Sequence, residues 1–223
     1  MDVGSLFYRI RSKIGDAVRK YYRNNRERSR LTNRNFTIIS NTCIAGKMYH
    51  DLGLKFLTPT INLYIKPEQF VKFCSKISYY LEQPVLPVYG NYKYPVGRID
   101  DVYLYFKHYT SFEEAVKKWE ERKARIRWDN LFVIMTDRLI DVERGGVYFC
   151  GDSVLDEFNK LTFANKMCFT AVRAPNESCF WLQEFSGKPC VGVITDIVNF
   201  FGDRMYQLSR FDYVKWLNND KSK

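Results

Sequence analysis

From Phe36 to Leu217 the chain alternates short runs of β-branched and apolar residues with stretches of helical periodicity, and this alternation restricts the fold more than any other feature. Strands are predicted at residues 36–40, 60–65, 99–108, 131–135 and 166–171, with a strand edge at 191–198. Between them, helices are predicted at 47–52, ended by Gly53, and from Pro67 through Leu81. Further helices run from the capping Ser111 to Ile126, over 154–161 and over 211–217. Residues 83–94, rich in Pro, Gly and Tyr, read as a loop. Strands that alternate with helices imply an α/β fold. Its sheet is mixed but largely parallel and covered by helices, and its ligand site lies at the strands' carboxyl ends.

Three chemically marked residues follow such ends. Cys43 stands where the 36–40 strand turns toward a helix, whose free amides and positive dipole end lower a thiol pKa. His108 closes the 99–108 strand, and Asp137 follows the 131–135 strand. In a Cys/His mechanism an imidazole takes the thiol proton and a carboxylate holds the ring, which assigns Cys43 as nucleophile, His108 as base and Asp137 as its orienting partner. Asp129, Asn130 and Asp101 compete for the last role. His50, two helical turns from Cys43, is too remote to serve. Asn41 and the backbone amides around Cys43 suit an oxyanion hole. A small buried cysteine at a packed turn fits the same pattern equally well.

The net charge of +10 is concentrated at one end, since residues 1–35 carry +7 and the rest only +3. In that arm Val3, Leu6, Phe7, Ile10, Ile14, Val18 and Tyr21 recur at three- and four-residue steps, opposite Arg and Lys. This describes a basic amphipathic helix, and the less periodic, arginine-rich stretch from Arg23 to Arg34 links it to the body, the two making an arm over residues 1–34. Such a helix either lies on an anionic membrane surface or docks on the body; a nucleic-acid partner is not expected. The predicted organisation is therefore this arm, a single α/β domain over 35–217 and a polar tail at 218–223.

The six cysteines show no Cys-x-x-Cys pair, so reduced thiols are expected and neither a metal nor a resident cofactor. The chain has no Gly-x-Gly-x-x-Gly, phosphate-loop or Gly-x-Ser-x-Gly sequence, which removes support from nucleotide-cofactor and serine-hydrolase chemistry. With neither a signal-like segment nor an apolar run of spanning length, the expected location is cytoplasmic, with peripheral attachment to the inner face of the cell membrane.

Five strings in order carry a resemblance over residues 36–200: Ile-Ser-Asn-Thr-Cys-Ile-Ala-Gly (39–46), Thr-Pro-Thr-Ile-Asn-Leu-Tyr-Ile (58–65), Tyr-Pro-Val-Gly (94–97), Phe-Lys-His-Tyr (106–109) and Trp-Glu-Glu-Arg-Lys-Ala-Arg-Ile-Arg-Trp-Asp-Asn-Leu-Phe-Val-Ile (119–134). The chain thereby resembles a bacterial family labelled exopolysaccharide biosynthesis protein and filed as a domain of unknown function. The resemblance implies a capsule, exopolysaccharide or O-antigen setting, with a glycan or lipid-linked glycan as substrate and no reaction assigned. It singles out Ser40, Asn41, Gly46, Tyr109, Trp119, Arg122, Arg125 and Asn130 as candidate substrate contacts. Where the family has a second Asn, this chain has Thr42. An Arg pair beside Trp119 suits a diphosphate or a sugar carboxylate, although arginines bonded to carbonyls and acids would give the same pattern. Tyr89, Tyr92 and Tyr94 offer faces that suit sugars and cores alike.

The favoured expectation is an acyltransferase that works through Cys43 with an activated acyl donor. The alternatives are a glycosyl- or phosphosugar transferase on a nucleotide-sugar without a covalent intermediate, and a glycan-binding assembly subunit without catalysis.

Overall fold

A computed structural model describes residues 3–173 and 176–219, and the predicted tail beyond Asn219 lies outside them. The chain divides into two compact units, one formed by residues 35–46 and 56–192, the other by the described residues before 35 together with 47–55 and 193–219.

The N-terminal helix α1 (Val3–Val18) continues through a π-helical turn, Arg19–Arg23, into α2 (Asn24–Arg30). The larger unit is built on a four-stranded parallel sheet. Its first strand, β1 (Thr37–Ser40), is followed by α3 (Ile44–Leu52), which starts here and from Lys47 belongs to the smaller unit. The helix predicted from Pro67 divides into α4 (Pro67–Ser75) and α5 (Ile77–Glu82), because Lys76 leaves helical geometry at φ −136° and ψ 43°. A small antiparallel sheet, β2 (Leu86–Pro87), β3 (Val96–Ile99) and β4 (Val102–Tyr105), precedes α6 (Phe112–Lys123). Next come β5 (Leu131–Thr136), the hairpin β6 (Arg138–Ile140) and β7 (Val147–Phe149), α7 (Asp152–Lys160), β8 (Asn165–Thr170) and β9 (Cys179–Trp181). The parallel sheet has the order β1-β5-β8-β9, with Ile39 opposite Val133, Ile134 opposite Met167 and Cys168 opposite Cys179.

β1 and β5 are the sheet's buried strands; β5 carries the continuous apolar run Leu131–Met135 that burial on both faces demands, while β1 buries Thr37 and Ser40 beside Ile38 and Ile39. Phe70 and Phe73 of α4, Ala115 and Trp119 of α6, and Leu155 and Phe158 of α7 pack with Val133, Met135 and Cys168.

Three strand expectations are corrected. Residues 60–65 are not a strand, because Asn62 sits at φ 61° and only Tyr64 pairs, across a single bridge to Tyr105. The 99–108 run folds back on itself at Asp100 (φ 50°) and becomes the β3–β4 hairpin. Residues 191–198 form no strand but one bridge, Ile197 to Arg204.

The smaller unit is completed by α8 (Met205–Leu208) and α9 (Tyr213–Leu217). Its core is ionic. The Asp51 carboxylate accepts from Arg19 Nε and Nη2 at 2.9 and 2.6 Å and from Arg204 Nε and Nη2 at 2.7 and 2.9 Å. Glu27 accepts from Gln207 Nε2 at 2.9 Å and from the Tyr213 hydroxyl. Burial alone would raise the Asp51 pKa, but the bonds from Arg204 and Arg19 outweigh it and hold the carboxyl below its ordinary value.

The helix reaches this cluster through Gly15. A Cβ there would lie 2.4 Å from the Asn199 carbonyl oxygen, and one on Gly202 (φ 74°) would lie 2.7 Å from the Gly15 oxygen. The face that packs is therefore Gly15, Arg19 and Glu27. Of the apolar stripe of α1, Phe7 sets its ring 6.0 Å from that of Phe200, but Phe7, Ile10 and Ile14 remain 58%, 46% and 45% exposed. Val3 and Leu6 of that stripe carry side chains outside the description.

Candidate functional site at the carboxyl ends of the parallel strands

The polar residues after β1 build the turn that presents Cys43. The Asn41 amide extends the β1–β5 ladder with its side chain, accepting from Thr136 N at 3.0 Å and donating to the Thr136 carbonyl at 3.3 Å. Its own carbonyl takes Ile65 N at 3.0 Å. Ser40 Oγ donates to the Thr42 carbonyl at 2.7 Å, closing a local side-chain turn. Cys43 then stands one residue before α3, partly buried, with Sγ 3.9 Å from the Leu63 carbonyl oxygen. Ser40 and Asn41 are both buried and spent on this scaffold, so the Asn41 side chain is not an oxyanion-hole donor.

The other two members of the expected triad are not brought to the thiol as a relay. His108 is exposed, and its imidazole makes no hydrogen bond to Asp137. Asp137 is fully buried. One carboxylate oxygen accepts from Val191 N at 2.9 Å; the other accepts from Ala171 N at 2.8 Å and Thr170 Oγ1 at 3.1 Å. It ties β5, β8 and the 191 segment together, and burial raises its pKa against those donors.

The residue beside each is a half-buried cation. Lys107 is half-buried between the rings of Tyr64 and Tyr94, with Nζ 5.0 and 5.9 Å from their centroids. Burial depresses its pKa, while the nearby Cys43 acts to raise it and Arg138 to lower it. Lys107 thus lies in electrostatic reach of the thiol. Arg138 opens β6, where its carbonyl accepts from the Tyr64 hydroxyl at 3.3 Å and its Nε is buried without a hydrogen-bond partner.

The remaining candidates serve packing. Trp119 is 1% exposed and packs its ring 6.4 Å from that of Phe73. Arg122 is buried over the Phe56 ring and donates to the Tyr109 hydroxyl at 2.6 Å; Tyr109 in turn donates to the Ile61 carbonyl. The expected arginine clamp is therefore not available to a ligand on the Arg122 side, and Arg125 lies 3.8 Å from Glu121. Asn130 donates to the Asn35 carbonyl, pinning the start of β1. At Gly46 an added Cβ would make only ordinary contact with Ile61.

A cleft of about 330 Å³, lined by Tyr89, Tyr92, Tyr94, Thr110, Ser111 and Glu113 among others, opens beside Lys107's tyrosine cover. Among the described residues no group of three or more His, Cys, Asp and Glu is arranged to hold a metal ion, and no helix is long and apolar enough to cross a membrane.

The fold and site define an α/β protein whose parallel sheet presents a thiol at its carboxyl edge. The chain belongs to the family described as "Domain of unknown function (DUF1919)", whose model matches residues 14–218. A Haemophilus influenzae protein described as uncharacterized is 35% identical over 214 residues, covering 96% of this chain and 98% of that protein.

Proposed function

We propose that the protein is a transferase of bacterial surface-polysaccharide biosynthesis that moves an acyl group onto a glycan through a thioester at Cys43. The observation that carries this reading is the half-buried Lys107 in electrostatic reach of a thiol at a strand-to-helix turn. The ammonium and the α3 amides favour the thiolate, which is the nucleophilic form.

In the first half-reaction the thiolate attacks the acyl carbonyl of an activated donor. The carbon–sulfur bond forms, the bond to the donor's leaving group breaks, and that group takes a proton from the Lys107 ammonium. In the second, a glycan hydroxyl gives its proton to the neutral Lys107 amine as its oxygen attacks the thioester, and the thiolate is released. A lysine with a depressed pKa suits both directions of this proton transfer. The tyrosine-lined cleft supports a sugar acceptor, because its rings offer faces for pyranose C–H groups and Glu113, Ser111 and Thr110 supply polar contacts.

Glycosyl transfer without a covalent intermediate has less support, since Asp137 and Arg122 are committed to internal bonds. The exposed Phe7, Ile10 and Ile14 of α1, beside exposed Arg9 and Lys13, support attachment to the anionic inner surface of the cell membrane.

The test is intact-mass spectrometry of the full chain after incubation with short-chain acyl thioesters. A single acyl adduct that disappears in Cys43→Ala and forms more slowly in Lys107→Met is expected. Acyl transfer undiminished in Cys43→Ala would sink the reading.

A further inference from the structure

Lys107 and Arg138 are two cations gathered around one aromatic residue. The Lys107 ammonium lies over the Tyr64 ring, and the Tyr64 hydroxyl bonds to the Arg138 backbone while accepting from Ile140 N at 2.8 Å. Neither cation makes an ion pair among the described residues, and the Arg138 side chain leaves a buried Nε donor without a partner. Proteins rarely leave such a donor unsatisfied, because it loses water without replacing it. Two like charges in partly buried positions also repel each other unless an anion stands between them.

The surroundings sharpen the contrast. The fully buried guanidiniums are matched: Arg19 and Arg204 share Asp51, and Arg122 has the Tyr109 hydroxyl; Arg23, whose Nε is also buried without a hydrogen bond, still has Glu27 and Asp203 as ion-pair partners. Here no carboxylate performs that service. The Cys43 thiol lies in electrostatic reach of Lys107.

We propose that Arg138 and Lys107, assembled on Tyr64 beside Cys43, form a subsite for a diphosphate oxyanion carried by a substrate. The guanidinium fork matches two oxygens of a phosphate, and the ammonium supplies a point charge to the neighbouring phosphate. The α3 start, with its free amides next to Cys43, adds further donors for the same anion. The assignment rests on the reading of Cys43 as the reaction centre only for its role, not for its chemistry. An acyl or glycan carrier that ends in a diphosphate would be held there with its reacting end toward the thiol. Nucleotide-linked and prenyl-linked carriers share this chemistry.

The experiment is isothermal titration of the full-length Cys43→Ala protein, which cannot form a thioester, with inorganic pyrophosphate, a nucleoside diphosphate and farnesyl diphosphate at constant ionic strength. Binding of at least one of these is expected. Arg138→Met should weaken it about 10- to 100-fold, the loss of a charge-assisted bond. Arg138→Lys should recover part of that loss, and Lys160→Met, a surface change on α7, should leave it unchanged. Tighter binding of the nucleoside or of the prenyl compound assigns the carrier. No heat with any of the three, or equal affinity in Arg138→Met whose circular dichroism matches the parent, overturns the proposal. Because the titration is made on Cys43→Ala, its failure leaves the thioester reading standing. Failure of the mass-spectrometric test likewise leaves the anion subsite standing.

Discussion

Asp51 is the residue whose removal the smaller unit should tolerate least. Asp51→Asn keeps the shape but leaves Arg19 and Arg204, with side chains 2% and 8% exposed, facing a neutral amide instead of the carboxylate they share. Breaking a buried ion pair from one side costs about 3–5 kcal/mol, because the partner charge stays behind unpaired. Two partners stay behind here, and Glu27, at 3.4 Å from Arg19, compensates only one of them. Against a total stability of about 5–15 kcal/mol this loss is large. At about 2–4 °C per kcal/mol for a chain of this size, Tm should fall by about 6–20 °C.

The sign of the pH dependence follows from the direction of the shift. Asp51's pKa is depressed in the folded protein, so its contribution is fully present above the unfolded value of about 3.9 and is lost as pH falls through the folded value. Wild type and Asp51→Asn should therefore differ most above about pH 5 and converge in acid. Thermal unfolding followed by circular dichroism at several pH values measures both effects. A neutral-pH difference below about 1 kcal/mol would refute the reasoning, since the arginines would then be recovering water or other partners at little cost.

Gly202→Ala should destabilise the same unit by at least about 1–2 kcal/mol for the left-handed backbone alone, with the contact to the Gly15 oxygen adding to it. Urea unfolding unchanged by the substitution would count against the close crossing of α1 and the 202 turn. Asp137→Asn should cost about 1–3 kcal/mol, because one of its two acceptor oxygens becomes an amide that faces Thr170 and Ala171 donors. A loss of activity without that loss of stability would return Asp137 to the reaction itself. Replacing Phe7, Ile10 and Ile14 together by Ser should release the protein from phosphatidylglycerol vesicles, as should raised salt. Sedimentation that ignores both changes would mean that α1 is not the anchor.

The strands β1, β5 and β8 were legible as short β-branched or apolar segments between helical stretches, most plainly β5, whose run Leu131–Met135 is continuously apolar, whereas their order in the sheet was not predicted. The edge strand β9 was not legible, because its three residues carry too short a pattern to stand out from the surrounding loop. The candidate site shows a finer limit. Strand ends marked His108 and Asp137, and in both cases the residue one position away is a half-buried cation: Lys107, in electrostatic reach of the thiol, and Arg138, in electrostatic reach of Lys107. Successive side chains of extended backbone point to opposite sides, so an uncertainty of one residue in where a strand ends reverses which side chain faces the site. Residue chemistry biases that choice toward histidine and aspartate.

The N-terminal helix shows the same kind of limit on a larger scale. Its hydrophobic periodicity marks one face, yet the face that packs runs through Gly15, Arg19, Arg23 and Glu27 at four-residue steps, using close backbone approach and ion pairs in place of apolar burial. A hydropathy pattern has no means of registering such an interface. Glycine and arginine read as a break and a solvated charge until Asp51, Asp203 and Gly202 are seen opposite them. What the pattern does register is the leftover apolar stripe. A helix that satisfies its own fold with glycine and charge leaves much of Phe7, Ile10 and Ile14 exposed, which is the physical basis for the proposed membrane attachment.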